Sequence, residues 1–317
     1  MIPSTASDCP SLPPPSRLRL LGRIAAHAWQ QLRADGPVDG VRVLLGAVRM
    51  LSERERLSEL FAIPAFARLM AAQPRADAFF FISHRHFLSR GFGPDERVDC
   101  VLDHFRFEQA HLSPRLLPAL HGDGVRLWRH ALGHEIRLRT NPANRHEGPL
   151  SLVLRSAGET LHVLSFAWVD ATRLGADAGR GPVLFATRNQ SMRPDAAGPA
   201  RFRADFPQNS PAYFSLAALS GLAGALGQSR IVGVRDYCQI AFEPCHAAGF
   251  RRSYDDFWRG FGGRPLGSHG FEMPVPAAVV PLEQVKARHR ARARQRREHW
   301  RKIAEASQAA VSPYLKV

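Results

Sequence analysis

The stretch "LSLVLRSAGETLHVLSFAWVD" (150–170) constrains the fold of this chain more than any other. Apolar residues fall at every second position through Leu150, Leu152 and Leu154, then again through Leu161 and Val163 to Phe166. Period two is the strand period, and "SAGE" between the runs is a turn, so the segment predicts an antiparallel hairpin. "GPVLFATRN" follows the Gly-rich loop "GADAGRGP" as a further strand. "SPAYFSLAALSGLAGALG" then reads as a helix, with Ser210 as N-cap, Pro211 in the first turn and Gly227 at the stop. "SRIVGVRD" follows as a short buried strand. A meander, a strand, a crossover helix and another strand make an α+β domain.

Upstream the period changes. "RLRLLGRIAAHAWQQLRADG" sets Leu18, Leu21, Ile24, Ala25, Ala28, Trp29 and Leu32 at three- and four-residue spacings, which is helical. "GVRVLLGAVRMLS", "LSELFAIPAFARLMAAQP" and "DERVDCVLDHFRFEQAHLS" continue as helices, the second of them interrupted at Pro64 and stopped at Pro74. "VRLWRHALGHEIRLRTNP" reads as a strand pair or a helix-to-strand transition, and "PLGSHGFEMPVPAAVVP" as a Pro/Gly-rich connector. The expected organisation is a disordered Pro/Ser-rich lead-in over 1–16, a helical region over 17–120 and an α+β domain over 121–275. The remainder, 276–317, is read as a connector and a basic helix. The fold class is α+β: a helical region packed on a mixed, largely antiparallel sheet, GNAT-like (N-acyltransferase-like) in the order of its elements.

Charge is the second constraint. The chain of 317 residues carries a formal net charge of +15. "KARHRARARQRREHWRK" (286–302) holds nine Lys/Arg against one acid, Glu298. Such a surface attracts polyanions, and Arg288, Arg292, Arg296, Arg297 and Arg301 are the expected contacts to nucleic acid or anionic lipid. Arginine at every second residue spreads charge around a helix rather than along one stripe, and no base-reading motif accompanies it. No apolar run reaches the ~20 residues that span a bilayer, and the N-terminus lacks the pattern of a signal peptide. The expected address is cytoplasmic, peripheral to the inner membrane if the helix binds lipid. Cys9, Cys100, Cys238 and Cys245 form no CxxC, which gives neither a disulfide framework nor a thiolate zinc site, and Cys238 and Cys245 are expected as buried free thiols.

Four stretches, in this order, carry a resemblance: "HEGPLSLVLRSAGETLHVLSFAW" (146–168), "SPAYFSLAALSGLAGALGQSRIVGV" (210–234), "YDDFWRGFGG" (254–263) and the basic terminal helix. Together they resemble the VirK/YbjX family of bacterial proteins over roughly residues 60–305. The resemblance implies a role in envelope integrity, antimicrobial-peptide resistance or virulence, with no settled chemistry. The motif positions carried over are Glu147-Gly148, Tyr254, Asp255, Phe257, Trp258 and Gly262-Gly263. The chain departs from the family pattern at Asn189-Gln190-Ser191 and at "QNSP" before the crossover helix.

These positions give the candidate site. Glu147, Asp236, Tyr254 and Asp255 are the expected catalytic groups, Glu147 as a general base if buried. Gln190, Trp258, Gly262 and Gly263 are expected to line a substrate pocket, the glycines permitting close backbone approach. The structural alternative is that the aromatic cluster staples its segment to the core while Glu147 pairs with an arginine such as Arg145. The reaction expected of a GNAT-like core is acyl or aminoacyl transfer, but the chain lacks the Arg-x-x-Gly-x-Gly loop usual for acyl-CoA, so the cofactor is left unassigned. His130, His134 and Glu135, with His146 nearby, do not form the HExxH zinc signature; they are read as hydrogen-bonded histidines, and no metal is expected. The alternative to an enzyme is a non-catalytic polyanion-binding protein that uses the arginine helix.

Overall fold

The computed structural model describes residues 17–35, 40–73, 77–192 and 197–316. The lead-in expected over 1–16, with Cys9, lies outside them. The chain divides into two compact units, Met1–Ala78 and Phe79–Val317. The first is helical: α1 (Arg17–Asp35), α2 (Gly40–Ser52), α3 (Arg54–Ala62) and α4 (Pro64–Ala72). The interruption expected at Pro64 is present: α3 ends at Ala62 and Pro64 opens α4, as suits a residue with no N–H to offer at a first turn.

The second unit begins with α5 (Phe80–Ser83), α6 (Pro94–His111) and α7 (Leu116–His121). The helix expected over 95–113 therefore belongs with the sheet rather than with the N-terminal helices. There follow β1 (Val125–Arg129), β2 (His134–Thr140), β3 (Leu150–Ser156), β4 (Glu159–Asp170) and β5 (Pro182–Ser191). Then come α8 (Ala197–Asp205), α9 (Pro211–Ala225), β6 (Arg230–Val234), α10 (Ala247–Ser253) and α11 (Asp255–Gly260). The unit closes with β7 (Arg264–Leu266), β8 (Gly270–Pro274) and α12 (Ala287–Val311).

The eight strands among the described residues form one sheet, in the order β1-β2-β3-β4-β5-β6-β8-β7. Strands β1 to β5 are an antiparallel meander, β5 and β6 are parallel, and β8 and β7 continue antiparallel from β6. The hairpin predicted from alternation is β3–β4. Ala157 and Gly158, both at positive φ, close it in two residues, the geometry that suits strand twist. The 125–142 segment resolves as the strand pair β1–β2. One expectation is corrected: the supposed connector contains β7 and β8, whose apolar Leu266, Phe271 and Met273 are buried.

Strand β4 is buried almost without a break from Leu161 to Val169, as happens when both faces are covered. Helices α6 and α9 supply the cover; Phe107 of α6 stacks on Trp168 at 4.0 Å. Helix α12 packs on α9 and β1, burying Ile303, Ser307 and Val311 at the i, i+4, i+8 spacing of one face. The contact is tight. A side chain at Gly221 of α9 would run into the Ala304 backbone, with the Ala304 carbonyl carbon 2.8 Å from an added Cβ. Gly221→Val is expected to destabilise the unit by about 1–3 kcal/mol, because neither helix backbone can yield as a side-chain end could. A denaturant titration checks it, and an unchanged midpoint would show that the helices slide apart at little cost.

Candidate functional site

Strands β5 and β6 pair over only three residues, Leu184↔Ile231, Phe185↔Val232 and Ala186↔Gly233. Beyond them the strands part. Side chains, not a strand, meet the edge of β5 that is left: Gln239 Nε2 donates to Thr187 O at 3.5 Å, and Asn189 N donates to Tyr254 Oη at 3.3 Å. Of the sequence-predicted site residues, Glu147, Gln190 and Tyr254 meet at the mouth of this fork.

Glu147 is delivered by a short 3₁₀ turn, 145–147, just before β3. Gly148 follows at φ +145, and a Cβ there would lie 2.8 Å from Phe166 N, so the turn presses on β4 as only glycine allows. The Glu147 carboxylate is buried. Its Oε2 accepts from Arg188 Nη1 at 2.5 Å, and Gln239 Nε2 approaches Oε1 at 3.4 Å. The Glu147 backbone carbonyl accepts from Thr187 Oγ1. The partner is thus Arg188 on β5, not the neighbouring Arg145, which stacks on Phe80 instead. A buried carboxylate requires such a partner, because desolvation of a lone charge costs several kcal/mol.

Tyr254, at the start of α11, is fully enclosed, with its hydroxyl at the fork. Burial pushes the phenol well above its ordinary pKa; the Asn189 amide acts the other way and the Glu147 carboxylate adds to the rise. The hydroxyl therefore keeps its proton at neutral pH and can donate it. Gln190 stands beside it, half-buried. Asp255 points away from the phenol: its Oδ1 accepts from Asp236 N at 2.9 Å, and Arg259 lies 3.6 Å from its Oδ2. Burial raises the Asp255 carboxyl. Asp236 spends a side-chain oxygen on Tyr237 N at 2.6 Å. Asp236 and Asp255 therefore fasten the loop after β6, and that loop carries Gln239 into the fork.

The remaining predicted residues have packing positions. Trp258 is fully buried against Gly233, its Nε1 donating to Val234 O at 2.9 Å. Gly262 abuts Ala278, and Gly263 abuts the Trp258 carbonyl. Of the histidines, His134 bonds Asp205 at 2.7 Å, and His146 stacks on His84 at 4.1 Å. Burial, with His84 and Arg188 nearby, lowers His146 to about 4. Cys238 is a buried free thiol as expected, and Cys100 is another, but Cys245 is exposed, since α10 and the turn before it bury no side chain.

Three contributors were not read from the sequence: Arg188, Thr187 and Gln239. Their signal was faint. Arg188 is a charge near the end of an otherwise apolar strand, which is costly unless it has a partner.

Fold and site together define an α+β protein with a forked mixed sheet, in which a carboxylate–guanidinium pair and a phenol are buried at the fork. The family model DUF535, described as a protein of unknown function, matches residues 40–175 and 210–309. The chain belongs to this family, which includes VirK/YbjX. Comparison with curated proteins and with solved structures gives no match. The matched residues hold Glu147, Gln239, Tyr254 and Asp255, while Arg188 to Gln190 fall in the gap between the two matched stretches. No helix among the described residues is long and apolar enough to cross a membrane.

Proposed function

We propose that this chain is a transferase of the GNAT-like kind that moves an acyl or aminoacyl group at the fork between β5 and β6, in service of the bacterial envelope as the family resemblance implies. The observation that carries the reading is the parting of the two parallel strands after Ala186 and Gly233, with ionisable groups buried where they separate. Helix α9 joins the two strands, and its first turn is capped by Ser210, an arrangement suited to the phosphates of an acyl donor.

In the proposed step an amine attacks the acyl carbon and the bond to the donor's leaving group breaks. Glu147 takes the proton lost by the amine, and Tyr254 gives its proton to the leaving group. Arg188 and Gln239 orient the carboxylate. Both reacting groups are buried, and we propose that substrate reaches them by displacing α10, which buries none of its own side chains and is held to the fork by Asn189 Nδ2 on Ser253 O at 2.7 Å. The protein would work in the cytoplasm or at the inner face of the inner membrane.

The test is release of free thiol from a series of acyl-CoA donors in the presence of amine acceptors, together with deacylation of aminoacyl-tRNA. Turnover is expected from the full chain, with a loss of about 100-fold in Tyr254→Phe and an unchanged circular dichroism spectrum. If no donor of either kind is consumed, the reading fails.

A second reading is polyanion binding by α12, favoured by the exposed Arg288, Arg292 and Arg294. Its mark is affinity for RNA or anionic vesicles that falls steeply with salt. Arg301 is a poor member of such a surface, because it already holds Glu298 at 2.7 Å and Glu305 at 2.6 Å.

A further inference from the structure

Helix α12 does more than carry charge outward. Along the side facing residues 279–285 lies a cleft of about 410 Å³, and His289, Arg292, Arg296 and Arg297 all line it. Val279, Val285 and Ala293 give it an apolar floor, and Trp300 closes one end. No lining residue is acidic. The one carboxylate of the basic run, Glu298, is taken by Arg301 and Lys302.

The walls are fixed before any ligand arrives. Trp300 Nε1 donates to Asn209 Oδ1 at 3.0 Å, and the ring packs against Tyr213 of α9 at 5.5 Å. Arg296 lies over the same ring, 5.3 Å from its centroid. Arg297 donates to Val280 O, while Arg290, outside the cleft, donates to Val285 O and Glu283 O, both at 2.9 Å. The segment opposite α12 is therefore tied down at both ends, which lowers the ordering cost of binding.

We infer that this cleft is a binding site for a small organic phosphate that carries two or more negative charges and an apolar or aromatic portion. Three guanidiniums and an imidazole converge on one side with no carboxylate to neutralise them. Guanidinium is the group whose planar fork matches phosphate oxygens. The indole and valines beside them form a surface for the uncharged part. The volume lies in the range of about 300–1,000 Å³ typical of small-molecule pockets, too small for a duplex or a folded partner. The site requires no transferase activity and stands apart from the fork.

Calorimetric titration of the full chain at about 0.15 M salt tests it with three probes: inorganic pyrophosphate, ADP, and dihexanoyl phosphatidic acid. One site is expected for at least one of the two organic phosphates, bound more tightly than pyrophosphate. Comparison of ADP with the short-chain lipid tells whether a nucleotide or a lipid headgroup is the source of the phosphate. Arg292→Gln with Arg296→Gln should weaken binding by about tenfold or more. Arg288→Gln with Arg294→Gln removes the same charge from the same helix outside the cleft and should change it by less than about twofold. Arg292→Glu, at an exposed position, serves as the second cleft variant and should abolish binding, with an unchanged circular dichroism spectrum showing that the fold is kept. Equal losses in the two doubles, or no binding of any probe, would overturn the site.

Discussion

Arg188→Met is expected to cost about 3–5 kcal/mol of stability, because it leaves the Glu147 carboxylate buried without its counter-charge. The pair is well enclosed, with the side chains of Arg188 and Glu147 only 12% and 8% exposed, so solvent cannot substitute for the lost guanidinium. Glu147→Gln in the same chain should recover most of the loss, since the cost arises from an unpaired charge and not from a missing contact. Urea denaturation of the two single variants and the double gives the coupling directly. Additive losses would show that water reaches the fork, and that the two charges are independent of each other.

Acid is expected to destabilise the protein well before its carboxylates are protonated, through His162. This residue is buried in β4, shares a hydrogen bond with Ser215 Oγ at 2.9 Å, and has Asn189 alongside. Burial lowers it from 6.5 to about 3, with Asn189 opposing the shift and Arg188 adding to it. The folded-state value lies below the unfolded one, so the unfolded chain takes up the proton first as the pH falls. The stability that rests on a neutral His162 is therefore present above about pH 6.5 and drains away towards pH 3. The slope approaches one proton, about 1.4 kcal/mol per pH unit. His146, lowered to about 4, adds to it from the same side. Asp103 and Asp255, whose carboxyls burial raises, act in the opposite sense, and the measured curve is the sum. His162→Asn isolates the first contribution: its amide can hydrogen-bond Ser215 in either direction but cannot titrate. Its stability should fall less steeply between pH 6.5 and 4, and an unchanged slope would mean that His162 is protonated in the folded protein.

Much of the sheet was legible because its strands are long enough for period two to show. The hairpin at 150–166 and the crossover from β5 through α9 to β6 were read from alternation, turn chemistry and caps. Strands β7 and β8 were not. They are three and five residues long, set among Gly267, Gly270 and several prolines, so composition spoke for a connector while sheet pairing decided otherwise. The site divides in the same way. Glu147 and Tyr254 were singled out through family motifs, but the partners that give them meaning lie far along the chain. Arg188 is 41 residues from Glu147, and Gln239 is 92 residues from it. No local pattern records such a meeting. The nearby Arg145 drew the expected ion pair by proximity in sequence alone.

The three residue pairs that join β5 to β6 also set how the unit responds to strain. The sheet is in effect two antiparallel blocks, β1 to β5 and β6 with β8 and β7, joined along a short parallel seam. An opening there breaks few main-chain hydrogen bonds compared with separating β2 from β3, β3 from β4 or β4 from β5. Local opening free energies differ widely within one fold, and this seam belongs at the shallow end. Amide hydrogens at Phe185, Ala186 and Val232 should thus exchange through a partial opening that leaves the β3–β4 hairpin protected, so the molecule would give way first along the line where its buried charges sit.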